Sequence, residues 1–216
     1  MASGEEISSP DAFTQRFGVS RETLDRLKVY ADLLRRWQKA VNLVAPGTLD
    51  QVWHRHLADS AQLYALLPPD AVRHLDIGSG GGFPGLVLAI MAANRPGWRT
   101  TLVESDQRKC AFLREVARHA GIAVEIVTKR IEIPETRSMV GAVDVVTARA
   151  LASLDRLLSY SSPFCSASTV GLFLKGKGVE QELAEAGRHW RFQHRLIPSV
   201  TQDGAFVVEV RHLSSV

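Results

Sequence analysis

Eleven residues constrain this chain more than any others: LDIGSGGGFPG, Leu75 to Gly85. They join a short apolar, β-branched run, Val72–Ile77, to a helical stretch near Gly85–Ala93. Gly78, Gly80 and Gly82 let a backbone turn tightly and approach a ligand with no Cβ in the way. Pro84 suits the first turn of the helix, where its missing N–H costs nothing. The N–H groups and dipole at that helix start favour an anionic group, such as the carboxylate of an amino-acid-like cofactor. Asp76, at the strand's end, is placed to meet an ammonium or the water around it. The alternation continues beyond the loop. Strands are expected at Thr100–Glu104, Val124–Thr128, Val143–Thr147 and Val170–Leu174, with helices near Gln107–Ala120, Leu151–Tyr160 and Val179–His189. Such βα units build a parallel sheet covered on both faces. Two strands then follow in succession, Phe192–Ile197 and Ala205–His212, joined through Gln202–Asp203–Gly204. They should form an antiparallel hairpin. The expected fold is α/β, a mostly parallel seven-stranded sheet ending in an antiparallel hairpin.

Two enzyme classes use a loop of this kind. Gly80-x-Gly82-x-x-Gly85 matches the nicotinamide dinucleotide fingerprint. A plain dinucleotide domain, however, would continue βαβ to its last strand, and none of Tyr30, Tyr64 or Tyr160 has a lysine four residues on. Asp76 just before the first glycine is more typical of class I (Rossmann-like) methyltransferases, whose cofactor is S-adenosylmethionine. Glu104 ends the second strand, where a carboxylate can accept hydrogen bonds from ribose hydroxyls. Phe83 either closes over the cofactor or anchors the helix start. Gly171 to Lys177 formally reads as a phosphate loop, but Gly178 replaces the Ser/Thr that would hold magnesium and Leu172–Leu174 is itself the strand.

The first 70 residues differ in character. After a frayed first ten, Leu24, Leu27, Tyr30, Ala31, Leu33, Leu34 and Trp37 recur at helical spacing behind a Ser20 cap. A second helix fits Asp50 to Leu66. We therefore expect a helical extension, 1–70, ahead of one compact methyltransferase unit, 71–216. Cys110 and Cys165 have no partner at metal-ligand spacing, and His54 and His56, two apart on a helix, diverge, so no metal is expected. No apolar run approaches the roughly 20 residues of a membrane span. The polar, acidic N-terminus does not read as a leader, and a cytoplasmic monomer is expected. The net charge of +3 is a mild excess; the arginines and lysines at strand ends say more. Arg26, Lys28, Arg35, Arg36 and Lys39 form either a solvated helix face or part of an RNA footprint. Trp37, Trp53, Trp98 and Trp190 are base-stacking candidates that core packing explains as well.

In chain order, WQKAVNLV (Trp37–Val44), RHLADS (Arg55–Ser60), the glycine loop, ESDQRKCAFLREVA (Glu104–Ala117), VTARALASL (Val146–Leu154) and LFLKGKG, ending near Lys177, resemble the RsmG family, also called glucose-inhibited division protein B. The resemblance runs from about Leu33 to Lys177. It implies a class I methyltransferase acting on N7 of one guanine in 16S ribosomal RNA, with 16S rRNA or the small-subunit particle as partner. It also implies cofactor contacts at Gly78, Phe83, Ile131–Glu132 and Arg149, and RNA or catalytic roles for Arg130, Arg149 and Lys175. Ala148, where members often carry serine, and Val44, where threonine is commoner, depart from the pattern. Guanine N7 offers a free lone pair, so no general base is needed, in keeping with a sequence that shows no nucleophile–base constellation. Two other readings stay open: a methyltransferase for a small molecule, and a non-catalytic cofactor-binding adapter on ribosomal particles.

Overall fold

The computed structural model describes residues 6–216. Helix formation begins earlier than expected. The frayed stretch foreseen for the first ten residues is corrected for residues 6–10, and residues 1–5 lie outside the described ones. Ile7 is buried and donates its N–H to His54 Nδ1. Ser9 then caps α1 (Pro10–Phe17), with Pro10 in its first turn and Gly18 closing it in the left-handed region. Ser20 caps α2 (Arg21–Trp37) by accepting from Thr23 N. The stripe Leu27, Tyr30, Ala31, Leu34 is fully buried against α4 and α5, introduced below. The second helical stretch is irregular: a π turn, Trp53–Ala58, the single turn α3 (Asp59–Ala61), and a 3₁₀ turn, Gln62–Leu66.

The α/β part runs β1 (Arg73–Ile77), α4 (Gly85–Met91), β2 (Arg99–Glu104), α5 (Gln107–Ala120), β3 (Glu125–Thr128), α6 (Pro134–Val140), β4 (Val143–Arg149), α7 (Leu154–Ser161), β5 (Cys165–Lys175), α8 (Val179–Ala186), β6 (Trp190–Pro198) and β7 (Phe206–Ser215). Asp106 caps α5 through the N–H groups of Arg108 and Lys109, and Gly121 ends it. α6, like α1, is an element the sequence pattern missed. Its seven residues bury only Thr136 and so carry no apolar stripe. Pro84 stands one residue ahead of α4, as its N-cap, rather than in its first turn.

The seven strands are ordered β3-β2-β1-β4-β5-β7-β6. β1 to β5 are parallel; β7 runs antiparallel between β5 and β6. The order in which strands are added reverses between β1 and β4, which opens a crevice beyond their carboxyl ends, where sheet ligands bind. Because β7 descends from that same edge, the β6–β7 connection, residues 199–205, also lies there. Apolar residues of the extension, among them Phe13, Leu34 and Trp53, share one buried cluster with Phe83, Leu86, Phe112 and Val116. The extension is thereby seated against α4 and α5, beside the crevice.

Candidate active site

The glycine loop bends on itself through positive φ at Gly78, Gly80 and Gly82, of 66°, 55° and 91°. Gly78 and Ser79 donate their N–H groups to Val103 O on β2. A Cβ on Gly82 would lie 2.5 Å from Leu86 Cδ1 and 2.7 Å from Tyr30 Oη, so that glycine is required by packing. Gly80 is different: the nearest atom to its missing Cβ is Gly78 O at 3.8 Å, leaving the loop's outer face open. Glu104 braces the turn, accepting Gly80 N–H at 2.9 Å on one oxygen and Asp106 N–H at 2.8 Å on the other. Asp76 lies beneath the loop, fully buried, with Thr147 Oγ1 donating to Oδ1 at 2.7 Å. Its Oδ2 has no hydrogen-bond partner among the described residues. Burial raises its pKa to about 6 despite the Thr147 bond. Leu151, just past β4, covers Gly78, whose Cβ would stand 2.6 Å from Leu151 Cδ1.

Phe83 turns inward as a buried anchor. Its ring stacks on Tyr30 at 5.1 Å and lies 5.0 Å from the His56 ring. The Arg149 guanidinium covers its face, 4.8 Å from the centroid. Tyr30 Oη donates to Gly81 O, tying α2 to the loop. Arg149 also donates to Arg55 O at 3.1 Å and His56 Nδ1 at 3.0 Å, and faces Asp59 Oδ2 at 3.5 Å. Since arginine is only a donor, His56 Nδ1 accepts. The imidazole proton is then on Nε2, which meets Thr48 Oγ1 at 2.7 Å. Burial, with Arg149 and Arg55 nearby, depresses the His56 pKa to about 3 and keeps the ring neutral. Arg149's own pKa is lowered by burial, with Asp59 opposing the shift.

These groups border a cavity of about 490 Å³, lined by Leu43, Thr48, Arg55, His56, Asp59, Arg149, Lys175, Glu182, Thr201 and Phe206, among others. Four chain regions meet there: the extension, the ends of β4 and β5, the first turn of α8, and the β6–β7 connection. Thr201 Oγ1 donates to Asp59 Oδ1 at 2.8 Å, closing the far wall. Lys175 is not bare; its side chain is 9% exposed, pairs with Glu182 Oε2 at 2.6 Å and donates to Ala152 O at 2.9 Å.

The expected site residues therefore divide. Gly78, Gly80, Gly82, Asp76 and Glu104 meet at the β1–β2 edge, and Arg149 and Lys175 meet at the cavity. Arg130 stands apart, exposed past β3 and with no side-chain partner among the described residues, and Ile131 and Glu132 follow it outside the cavity lining. Trp37 packs on Phe112 and Trp53 on Phe13, Trp98 donates to Thr100 Oγ1, and Trp190 to Asp155. Arg26, Lys28 and Arg35 pair with Glu22, Asp25 and Asp32 on α2. His54 bridges Ile7 N and Thr201 O.

Residues 23–207 match the family described as GidB, rRNA small subunit methyltransferase G. The chain belongs to this family. It is 49% identical over 213 residues to ribosomal RNA small subunit methyltransferase G of Parvibaculum lavamentivorans, covering 99% of this chain and 93% of that one. The protein of the same name from Paramagnetospirillum magneticum is also 49% identical, with 95% and 96% covered. Solved structures share the fold at low identity. A SAM-dependent methyltransferase from Aquifex aeolicus superposes with a TM-score of 0.56 at 16% identity, over 79% of this chain and 95% of that one. A mutant of MtNAS in complex with S-adenosylmethionine gives 0.56 at 16%, over 97% and 86%.

The residues present fit that family's methyl donor. The open face at Gly80 leaves room for close approach, Glu104 stands at the end of β2, and the orphaned Asp76 Oδ2 offers an acceptor beneath the loop. Tyr30, Asp59, Glu182 and Thr201 were not singled out from the sequence as site residues. The RHLADS motif was the one available signal, and it contains both His56 and Asp59.

Proposed function

We propose that this chain transfers the methyl group of S-adenosylmethionine to N7 of one guanine in 16S ribosomal RNA. Family membership carries the coarser part, a methyltransferase of small-subunit ribosomal RNA that uses S-adenosylmethionine. The cavity beside the loop supports the finer part. Its one histidine is held neutral with both ring nitrogens engaged, and its two carboxylates are each tied to a cation, Asp59 to Arg149 and Glu182 to Lys175. A site so arranged holds no carboxylate without a cation partner, and transfer to N7 asks neither of them to take a proton. N7 carries no proton to lose.

Gly78, Gly80, Gly82, Phe83, Asp76, Glu104, Ile131, Glu132 and Arg149 are the proposed cofactor contacts. When bound, the cofactor supplies an electrophilic methyl on a sulfonium. The protein's work is then positioning, for which oriented reactants gain up to roughly 7–11 kcal/mol. Arg149 keeps its charge at the cavity wall, stacked on Phe83, where it can hold a phosphate or O6. Lys175 holds the segment after β4 and the α8 carboxylate in place, and Arg130, outside the cavity, is available to the RNA backbone. On this reading the chain works as a monomer in the cytoplasm, on 16S rRNA or the small-subunit particle. No helix among the described residues is long and apolar enough to cross a membrane.

An N7-methylated guanine is cationic and labile, so borohydride followed by aniline cuts the RNA there. Treated 16S rRNA should be cut at one guanine after modification and left whole without it, and 7-deazaguanine at that position should block transfer. Transfer to the 7-deaza substrate would overturn the N7 reading.

A further inference from the structure

The cavity holds two carboxylates, and they are used differently. Asp59 is fully engaged: Oδ1 takes Thr201 Oγ1 at 2.8 Å and Gln62 Nε2 at 3.0 Å, and Oδ2 faces Arg149. Glu182, in the first turn of α8, commits only one oxygen. Its Oε2 takes Lys175 Nζ and the Leu154 N–H, each at 2.6 Å. The second bond caps α7, whose own N-cap, Ser153, makes no side-chain cap. Oε1 takes no hydrogen bond among the described residues, on a side chain that lines the cavity. The pair thus presents a single acceptor atom, held rigidly from behind and charge-compensated by Lys175.

We propose that Glu182 Oε1 reads the Watson–Crick edge of the acceptor guanine, a role that rests on the guanine-N7 reading above. On that edge guanine carries two neighbouring donors, N1–H and N2–H₂. Adenine and cytosine each place a ring-nitrogen lone pair beside their amino group, and that lone pair would face the carboxylate in repulsion. A carboxylate oxygen accepts and never donates, so it selects guanine. A base gripped on this edge turns its N7 edge the opposite way, leaving N7 free for the methyl. The contact also grows during reaction. As the methyl arrives, the base becomes cationic and N1–H a stronger donor, so its hydrogen bond to Oε1 tightens toward the transition state while the proton stays on N1. The positive charge introduced among Arg149, Arg55 and Lys175 is partly offset by the same carboxylate.

The test uses the full chain and 16S rRNA joined by ligation so that the methylated position carries guanine, inosine or 7-deazaguanine. Inosine lacks the N2 amino group and keeps N7. Wild type should lose roughly ten- to a hundredfold in kcat/KM on inosine, the range for one hydrogen bond to a charged partner. Glu182→Gln can still accept the Leu154 N–H through its amide oxygen but presents an NH₂ in place of Oε1. On guanine it should fall by a similar factor, and it should treat inosine and guanine alike. Equal guanine-to-inosine ratios in wild type and E182Q would overturn the role, because a residue that only caps α7 or holds Lys175 cannot sense N2. Wild type within twofold on the two bases would overturn it without any variant. Transfer to 7-deazaguanine would instead bring down the N7 reading beneath it. No transfer there, with equal ratios, removes Glu182 alone.

Discussion

Gly80→Ala separates the cofactor's needs from those of the fold. The added methyl meets nothing nearer than Gly78 O at 3.8 Å, so no protein atom has to move. The folding cost comes from the left-handed backbone, φ 55°, which disfavours an L side chain by about 1–2 kcal/mol. The stiffer unfolded chain returns about 0.4–1 kcal/mol of that. A net loss near 1 kcal/mol lowers the midpoint of a protein this size by about 2–4 °C. The same methyl projects from the open loop face, where the proposed cofactor contact lies. Forcing a methyl into a close contact costs about 1–3 kcal/mol, or roughly five- to 150-fold in affinity. Titration calorimetry with S-adenosylmethionine and thermal melting followed by circular dichroism read the two effects separately. Gly82→Ala is the contrast. Its Cβ would stand 2.5 Å from Leu86 Cδ1 and 2.7 Å from Tyr30 Oη, and melting should fall well beyond the Gly80 variant. Unchanged cofactor affinity in a normally melting Gly80→Ala protein would refute the assignment of the loop's open face.

Three further outcomes follow from buried titratable and polar groups. His56 and His74 both have folded pKa values depressed to about 3, so the native state excludes protons that the unfolded chain binds. Stability from each is intact above pH 6.5 and falls as pH drops toward 3, by about 2 kcal/mol each at pH 5; urea melts of wild type and His74→Gln across that range should show the variant with the shallower slope. Asp76 has the opposite sign, because its folded pKa near 6 lies above 3.8 and its contribution is lost as pH rises between those values. Asp76→Asn should gain up to about 3 kcal/mol at pH 7.5 and nothing near pH 4, and a pH-independent difference would contradict the burial argument. Tyr30→Phe strands the Gly81 carbonyl that the phenol satisfies, which should cost about 1–3 kcal/mol in denaturant melts and weaken cofactor binding as the loop loosens.

The sequence determined those features of the protein whose physical cause is local. A glycine-rich turn between an apolar run and a helical stretch can be read from neighbours a few residues apart, so the βα alternation, the Ser20 cap and the α5 span follow from the order of residues. The terminal hairpin was legible for the same reason. α6 was not, because a helix that buries one threonine leaves no periodic trace. The meeting of Asp76, the glycines and Glu104 at the β1–β2 edge was also legible, since they come from two successive βα units. Tertiary structure alone decided the cavity at the ends of β4 and β5. Insertion of β7 between β5 and β6 brings the turn after β6 to the carboxyl edge of the parallel strands, so that Thr201 meets Asp59 across 142 positions of sequence. Packing of α2 and the 53–66 stretch onto α4 brings Tyr30 and His56 to Phe83, where Arg149 joins them. Lys175, read from the sequence as an RNA-binding or catalytic cation at a strand end, is paired because α8 folds back to present Glu182. Hydrophobic periodicity records which face of an element is buried, but not which distant element it is buried against, and a polar side chain's partner depends on the latter.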